Sequence, residues 1–137
     1  MQRRPRKELV RARVAAFAEH VLSRDKWRQF SIWGAGRDAR DFVNALAKLD
    51  ASLAKRITAM HDVAEAKLGV GVYVNGGTGA QYPVRAIDQI QPPFVCCVAL
   101  YRYYDEDHPE SDLVAGAVRR KANELDLQEG DDYWHFN

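Results

Sequence analysis

A glycine turn between a strand pattern and a helix pattern constrains this fold more than any other feature. The run Phe30 to Trp33 is rich in strand formers, and the residues after it, Gly34-Ala35-Gly36-Arg37-Asp38-Ala39, fit the pattern G-x-G-x-x-G/A. The first glycine permits a tight turn, the second lets a ligand approach the backbone, and the small third residue lets helix and strand pack closely. An amphipathic helix is then predicted from about Asp38 to Leu49.

The elements after this helix complete a βαβ unit and extend it. Arg56 to Val63 is predicted to be a strand, and the crossover from the first strand should be right-handed. Phe94 to Leu100 is strongly apolar, as expected of a central parallel strand covered on both faces. A helix over about Pro109–Leu125 and a terminal strand over Tyr133–Phe136 follow. The fold class predicted is therefore α/β, a Rossmann-like three-layer domain with a small, mostly parallel sheet flanked by helices.

The remaining segments have weaker patterns. Pro5 to Arg24 is predicted to be an amphipathic helix, so residues 1–28 should pack on a Rossmann-like domain of residues 29–137, as a single domain overall. Lys67 to Gln81 contains five glycines, which favours an irregular loop or a small hairpin around Val70 to Val74. Pro83 to Ile90 should contain a short turn of helix.

Charge is distributed unevenly along the chain. Residues 1–28 carry nine Lys/Arg against three acids, whereas the other 109 carry eleven against sixteen. Three interpretations stay open for this basic segment: the solvated face of a helix, contact with nucleic acid such as tRNA, or a targeting role. Six basic residues carry them: Arg3, Arg4, Arg6, Lys7, Arg11 and Arg13.

Compartment and metal content can also be predicted from residue types. No run of about 18 uncharged apolar residues occurs, so no membrane partner is expected. Cys96 and Cys97 are adjacent in a predicted strand and point to opposite faces, so we expect free, buried thiols and a cytoplasmic location. Asp105-Glu106-Asp107 forms a D-x-D pattern that is more typical of a solvated loop than of a metal site. The four histidines are scattered, and we predict no metal.

The candidate ligand site is formed by Gly34, Gly36, Arg37, Asp62 and Tyr101. Asp62 ends the second predicted strand, where dinucleotide sites place an acid on the ribose hydroxyls, although it comes 26 residues after Gly36 rather than the usual ~20. Tyr101 follows the central strand and should face the ligand crevice. The ligand expected is a nucleotide or nucleotide-sugar. The alternative is a glycine turn kept for folding alone, since Asp38 and Asp41 could satisfy the amides that a phosphate would use.

Several blocks of the chain resemble a known family. They are similar to the C-terminal domain of the β-1,3-N-acetylglucosaminyltransferase-like proteins, the queuosine-tRNA galactosyltransferase group, over about residues 28–137. The chain also resembles the nucleotide-binding N-terminal domain of sugar O-acyltransferases, which share a glycine turn and a strand ending in Asp. The blocks that carry the first resemblance are Phe30 to Arg40, Ile57 to Asp62, Pro83-Val84, Pro92 to Val98 and Leu127 to Phe136.

The resemblance implies an accessory module and no transferase activity. In those transferases the catalysis belongs to a preceding domain that nothing here matches, so the implied partners are a glycosyltransferase, a nucleotide-sugar or a tRNA. The chain has no Tyr-x-x-x-Lys, no G-x-S-x-G and no Walker lysine, which favours a non-catalytic protein. Two alternatives stay open: an NAD(P)-dependent enzyme, or an interaction domain that forms a homodimer without a small ligand.

Overall fold

A single sheet organises the part of the chain that the computed structural model describes, which is residues 6–62, 65–97 and 120–136. Within those ranges the sheet has six strands in the order β3-β4-β2-β1-β5-β6. Their bounds are β1 Phe30–Trp33, β2 Ile57–Asp62, β3 Val72–Val74, β4 Gln81–Ala86, β5 Phe94–Cys96 and β6 Tyr133–His135.

The connectivity of these strands is that of a doubly wound sheet. β1 lies parallel to β2 and β5, β4 continues parallel to β2, and β6 continues parallel to β5, whereas β3 pairs antiparallel with β4. Without β3, the five parallel strands stand in the sequence order third, second, first, fourth, fifth, which is the Rossmann order. The predicted α/β fold class is therefore confirmed. The strand order reverses between β1 and β5, and ligands of open α/β sheets bind at that switch point.

Helices cover both faces of the sheet. The described helices are α1 (Arg6–His20), α2 (Arg37–Leu49), α3 (Ala51–Ala54) and α4 (Glu65–Val70), and residues 120–124 are also helical. Successive residues of β1 face two different cores: Ile32 packs with residues of α1 and α2, whereas Trp33 packs with Phe94 and Ala122. This alternation follows from the two-residue period of a strand and produces the three layers.

The N-terminal helix packs into the larger of these two cores. Val10, Val14 and Phe17 are buried at the helical spacing expected from the sequence, against Phe42 and Leu46 of α2. Burial of this stripe stabilises the helix, since an isolated helix of this length is marginal in water.

Three basic residues of the N-terminal segment connect it to the residues around β6. Arg24 and Lys26 pair with Asp131, and Lys26 also pairs with Asp132. These hydrogen bonds lower the pKa of both carboxyls and raise the pKa of Lys26. Arg13 donates to the carbonyl oxygen of Phe136 at 3.0 Å. Part of the positive charge of residues 1–28 is therefore used in tertiary contacts.

The region between β2 and β5 differs from the sequence expectation. Gln81–Ala86 is an interior strand, and the expected helical turn is a single 3-10 turn at Ile87–Gln89. Pro83 argues against an interior strand because it lacks an N–H, yet Tyr82 and Val84 on either side of it are buried with the strand period. A hairpin is present as expected, formed by β3 and β4, but the preceding helix α4 was not predicted. Within the described residues no helix is long and apolar enough to cross a membrane.

Candidate functional site

The glycine turn lies at the carboxyl edge of the sheet, at the switch point. Gly34 has a φ of 111°, a backbone conformation that residues with a side chain rarely adopt. Its N–H donates to the carbonyl oxygen of His61 at 2.6 Å, and the N–H of Cys97 donates to that of Trp33 at 2.9 Å. The turn is thus held between the ends of β2 and β5, and Gly34 is required by the backbone itself.

Asp62 lies at the end of β2, as predicted, and contacts the glycine turn directly. Its Oδ2 accepts a hydrogen bond of 2.9 Å from the Ala35 N–H, and the Lys67 ammonium lies 3.5 Å from the same oxygen. The Asp62 side chain is 13% exposed and that of Lys67 is 43% exposed. One amide of the turn is therefore satisfied by the protein's own carboxylate. Of the described groups around the turn, Gly36, the start of α2 and Lys67 are left for a ligand.

Gly36 behaves differently from Gly34. It is the N-cap of α2 in extended backbone, with a φ of −109°, which any residue can adopt. Among the described residues, a Cβ at this position would have one neighbour within 4 Å, the Lys67 ammonium at 3.6 Å, which is an ordinary contact. Neither the backbone conformation nor packing against the described residues therefore requires a glycine at position 36. The third small residue, Ala39, is fully buried between helix and sheet.

Arg37 and Tyr101 complete the predicted set. Arg37 is the first residue of α2, and its exposed guanidinium lies 3.9 Å from the Asp41 carboxylate, one helical turn further on. Arg40 lies 3.7 Å from the same carboxylate. Gly34, Gly36, Arg37 and Asp62 are thus gathered at one edge of the sheet. Tyr101 and the D-x-D pattern at Asp105 to Asp107 lie outside the described residues.

An apolar cavity opens beside the turn. Its volume is about 310 Å³, at the lower end of the size range of small-molecule pockets. Ala35 of the turn lines this cavity together with Lys67, whose ammonium lies near Asp62, so the cavity has one polar edge. The described residues that line it are Ala35, Lys67, Val70, Val72, Tyr73 and Val84.

The β3–β4 hairpin supplies half of the described lining of this cavity and is held in place by its own loop. The Asn75 side-chain oxygen accepts hydrogen bonds of 2.9 Å from the N–H groups of Gly77 and Thr78. Gly77 approaches the Asn44 amide of α2 so closely that a Cβ at position 77 would collide with it. Burial raises the pKa of the Tyr73 hydroxyl on the inner side of this hairpin.

Lys67 and Tyr73 are the residues that sequence reasoning missed. Both fall in the glycine-rich stretch, for which the sequence favours an irregular loop or a small hairpin without indicating a ligand contact. A signal for them exists in the sequence: Lys67-Leu68 precedes the alternating residues Val70, Val72 and Val74. Such a pattern is consistent with the end of a helix followed by an edge strand, which is what the structure has.

The other reactive side chains near the edge are buried in the fold. Burial raises the pKa of both the Cys96 and Cys97 thiols, which disfavours the thiolate form that a nucleophile needs. The His61 ring is buried, with Nδ1 3.1 Å from the Ala86 carbonyl oxygen, and burial lowers its pKa. Among the described residues no group of three His, Cys, Asp or Glu side chains could hold a metal ion.

Comparison with known proteins adds no family to this description. No protein-family model matches the chain, and no solved structure matches it. The features that bear on function are therefore those of the carboxyl edge of the sheet: the glycine turn, Lys67 and the adjoining cavity.

Proposed function

We propose that this protein binds a nucleotide or nucleotide-sugar at the switch point of its sheet, as a binding module and not as a catalyst. The diphosphate lies against Gly36, the start of α2 and the Lys67 ammonium. The base occupies the apolar cavity beside the turn, against Tyr73. Asp62 bridges the turn and Lys67, and meets the sugar hydroxyls.

The observation that carries this proposal is the contrast between the two glycines. Gly34 is explained by its positive φ, whereas Gly36 has ordinary extended backbone and space for a Cβ. A glycine that the fold does not require, at the N-cap of a helix, is what a phosphate needs in order to approach the backbone. The part of the chain that the structure describes supplies no other reason for the small residue.

Charge and shape at the site support the same ligand class. The Lys67 ammonium and the positive end of the α2 dipole lie on the same side of the turn, and both favour an anion. The adjoining cavity is lined by valines and one tyrosine, which suits a flat base. A dinucleotide, a nucleoside diphosphate and a nucleotide-sugar share these parts. The resemblance to the transferase-associated domain makes a UDP-sugar the first ligand to test, in an accessory role to glycosyl transfer.

Isothermal titration calorimetry on the full chain tests the proposal with ADP, UDP, UDP-N-acetylglucosamine and NAD as separate probes. We expect binding of at least one diphosphate-containing probe. Gly36→Val should abolish this binding, because its side chain fills the phosphate position. Lys67→Met should weaken it by about 10- to 100-fold, the equivalent of one charge-assisted hydrogen bond.

Two matched variants control for general effects. Gly76→Val changes a loop glycine that has no described atom within 4 Å of its Cβ position. Lys55→Met removes an exposed lysine just before β2, at the opposite end of that strand from Asp62. Both should bind the probe like the parent chain. Absence of binding by all four probes at about 1 mM, or unchanged binding by Gly36→Val, would refute the proposal. Preference for NAD over UDP-sugars would favour the dinucleotide alternative.

A further inference from the structure

A basic groove between α1 and α2 begins at Arg37, next to the nucleotide site, and runs along the other face of α2 to Lys48. It has a volume of about 340 Å³, and its floor contains the apolar residues Val10 and Ala45. The described charged residues that line it are four cations, Lys7, Arg11, Arg37 and Lys48, and one acid, Asp41.

The fold separates these cations from the other basic residues of the N-terminal segment. Arg13, Arg24 and Lys26 are held by the residues around β6. Lys7 and Arg11 are exposed and form no ion pair with a described residue. Lys7 and Arg11 therefore bring to the groove positive charge that tertiary contacts with the described residues leave unused.

Two of the four cations lie on α2 and two on α1. Arg37 and Lys48 are eleven residues apart, which corresponds to about 16 Å along the helix axis. Asp41 stands between them and is already approached by the guanidinium groups of Arg37 and Arg40. On α1, Lys7 and Arg11 are one helical turn apart and so lie on one face of the helix.

We propose that this groove binds the sugar–phosphate backbone of a single nucleic-acid strand. A strand carries one negative charge at every nucleotide, so its phosphates can meet Lys7 and Arg11 on one side of the groove and Arg37 and Lys48, about 16 Å apart, on the other. Packed helices lie 8–10 Å apart, so the furrow between them suits one extended strand. The guanidinium groups of Arg11 and Arg37 suit phosphate recognition. No aromatic side chain is among the described residues of the groove, so binding should be independent of base sequence.

Fluorescence anisotropy with a labelled deoxythymidine oligonucleotide of about 12 nucleotides tests this inference. If all four cations contact phosphates, the logarithm of the association constant should fall with the logarithm of salt concentration with a slope near −3. The double variant Lys7→Gln/Arg11→Gln should halve this slope and weaken binding at least about tenfold at low salt. Lys48→Gln should reduce the slope by about 0.7. Arg37 stays unchanged in these variants because it also opens α2 next to Gly36.

The matched control is Arg28→Gln/Lys55→Gln, which removes two exposed cations elsewhere. It should bind like the parent chain, and so should Gly36→Val, which separates this groove from the nucleotide site. Equal weakening by the control pair would mean diffuse attraction and would overturn the inference. So would no binding at about 50 mM salt, or equally effective competition by polyglutamate of the same charge, which would indicate an acidic peptide.

Discussion

Replacing Phe17 with alanine should measure how firmly the N-terminal helix belongs to the folded protein. The Phe17 ring is 1% exposed. Its centroid lies 5.6 Å from Trp27, 5.9 Å from Phe30, 5.6 Å from Phe42 and 4.5 Å from Trp134. One side chain of α1 thus contacts the turn before β1, β1 itself, α2 and β6.

The expected loss follows from this environment. Truncation of a buried phenylalanine to alanine costs about 3–5 kcal/mol, and the better helix propensity of alanine offsets about 0.5 kcal/mol of that. We therefore expect Phe17→Ala to lower the free energy of unfolding by about 3.5 kcal/mol, a large share of the stability of an ordinary domain. With a urea dependence of about 2 kcal/mol per molar, the unfolding midpoint should fall by about 2 M.

Urea unfolding followed by circular dichroism provides the measurement, with Leu9→Ala as the control on the same helix. Leu9 is 43% exposed, and its truncation should cost less than about 1 kcal/mol. Phe17→Leu, which keeps most of the volume but loses the ring contacts, should fall between the two variants. Equal midpoints for Phe17→Ala and Leu9→Ala would show that α1 contributes nothing to the core, and the packing described for it would be wrong.

Two further predictions concern the carboxyl edge. Gly34→Ala should destabilise the protein by about 1–3 kcal/mol because of its positive φ, whereas Gly69→Ala, in open space on α4, should be neutral or slightly stabilising; equal effects in urea unfolding would contradict this. Stability should also fall as the pH drops from 7.5 towards 5. Burial lowers the folded-state pKa of both His61 and His135 below the unfolded value near 6.5, so the unfolded state binds more protons there. His61→Asn, which can still donate to the Ala86 carbonyl, should make the pH profile flatter, and an unchanged profile would exclude His61 as its source.

The sequence predicted those parts of the fold that local periodicity controls. The strand before Gly34, the helix after Gly36 and the strand ending at Asp62 form as expected, because their patterns are set by residues within one element. Two conclusions about the site were reached in the same way: the turn lies at a strand–helix junction, and Asp62 ends the second strand. The hydrogen bond from the Ala35 N–H to Asp62 was not predicted, because the sequence analysis assigned this carboxylate to a ligand.

Contacts between distant segments could not be predicted in this way. β4 was missed because the proline at position 83 argues locally against an interior strand, while pairing with β2 and β3 decides otherwise. Lys67 comes near Gly36 only because α4 and the hairpin fold back beside the turn. The basic residues of the N-terminal segment likewise divide between contacts around β6 and the groove only in the folded protein. There Asp131 and Asp132, more than 100 residues away in sequence, pair with Lys26.

By itself, the sequence determined an α/β chain with a glycine turn at the start of its second helix, since backbone sterics and hydrophobic period act over a few residues. Tertiary structure decided which glycine the backbone needs, which cations stay unused and where a cavity adjoins the turn. Those properties depend on distances between segments that the chain brings together only by burying its cores, and a local pattern of residues contains no such distances.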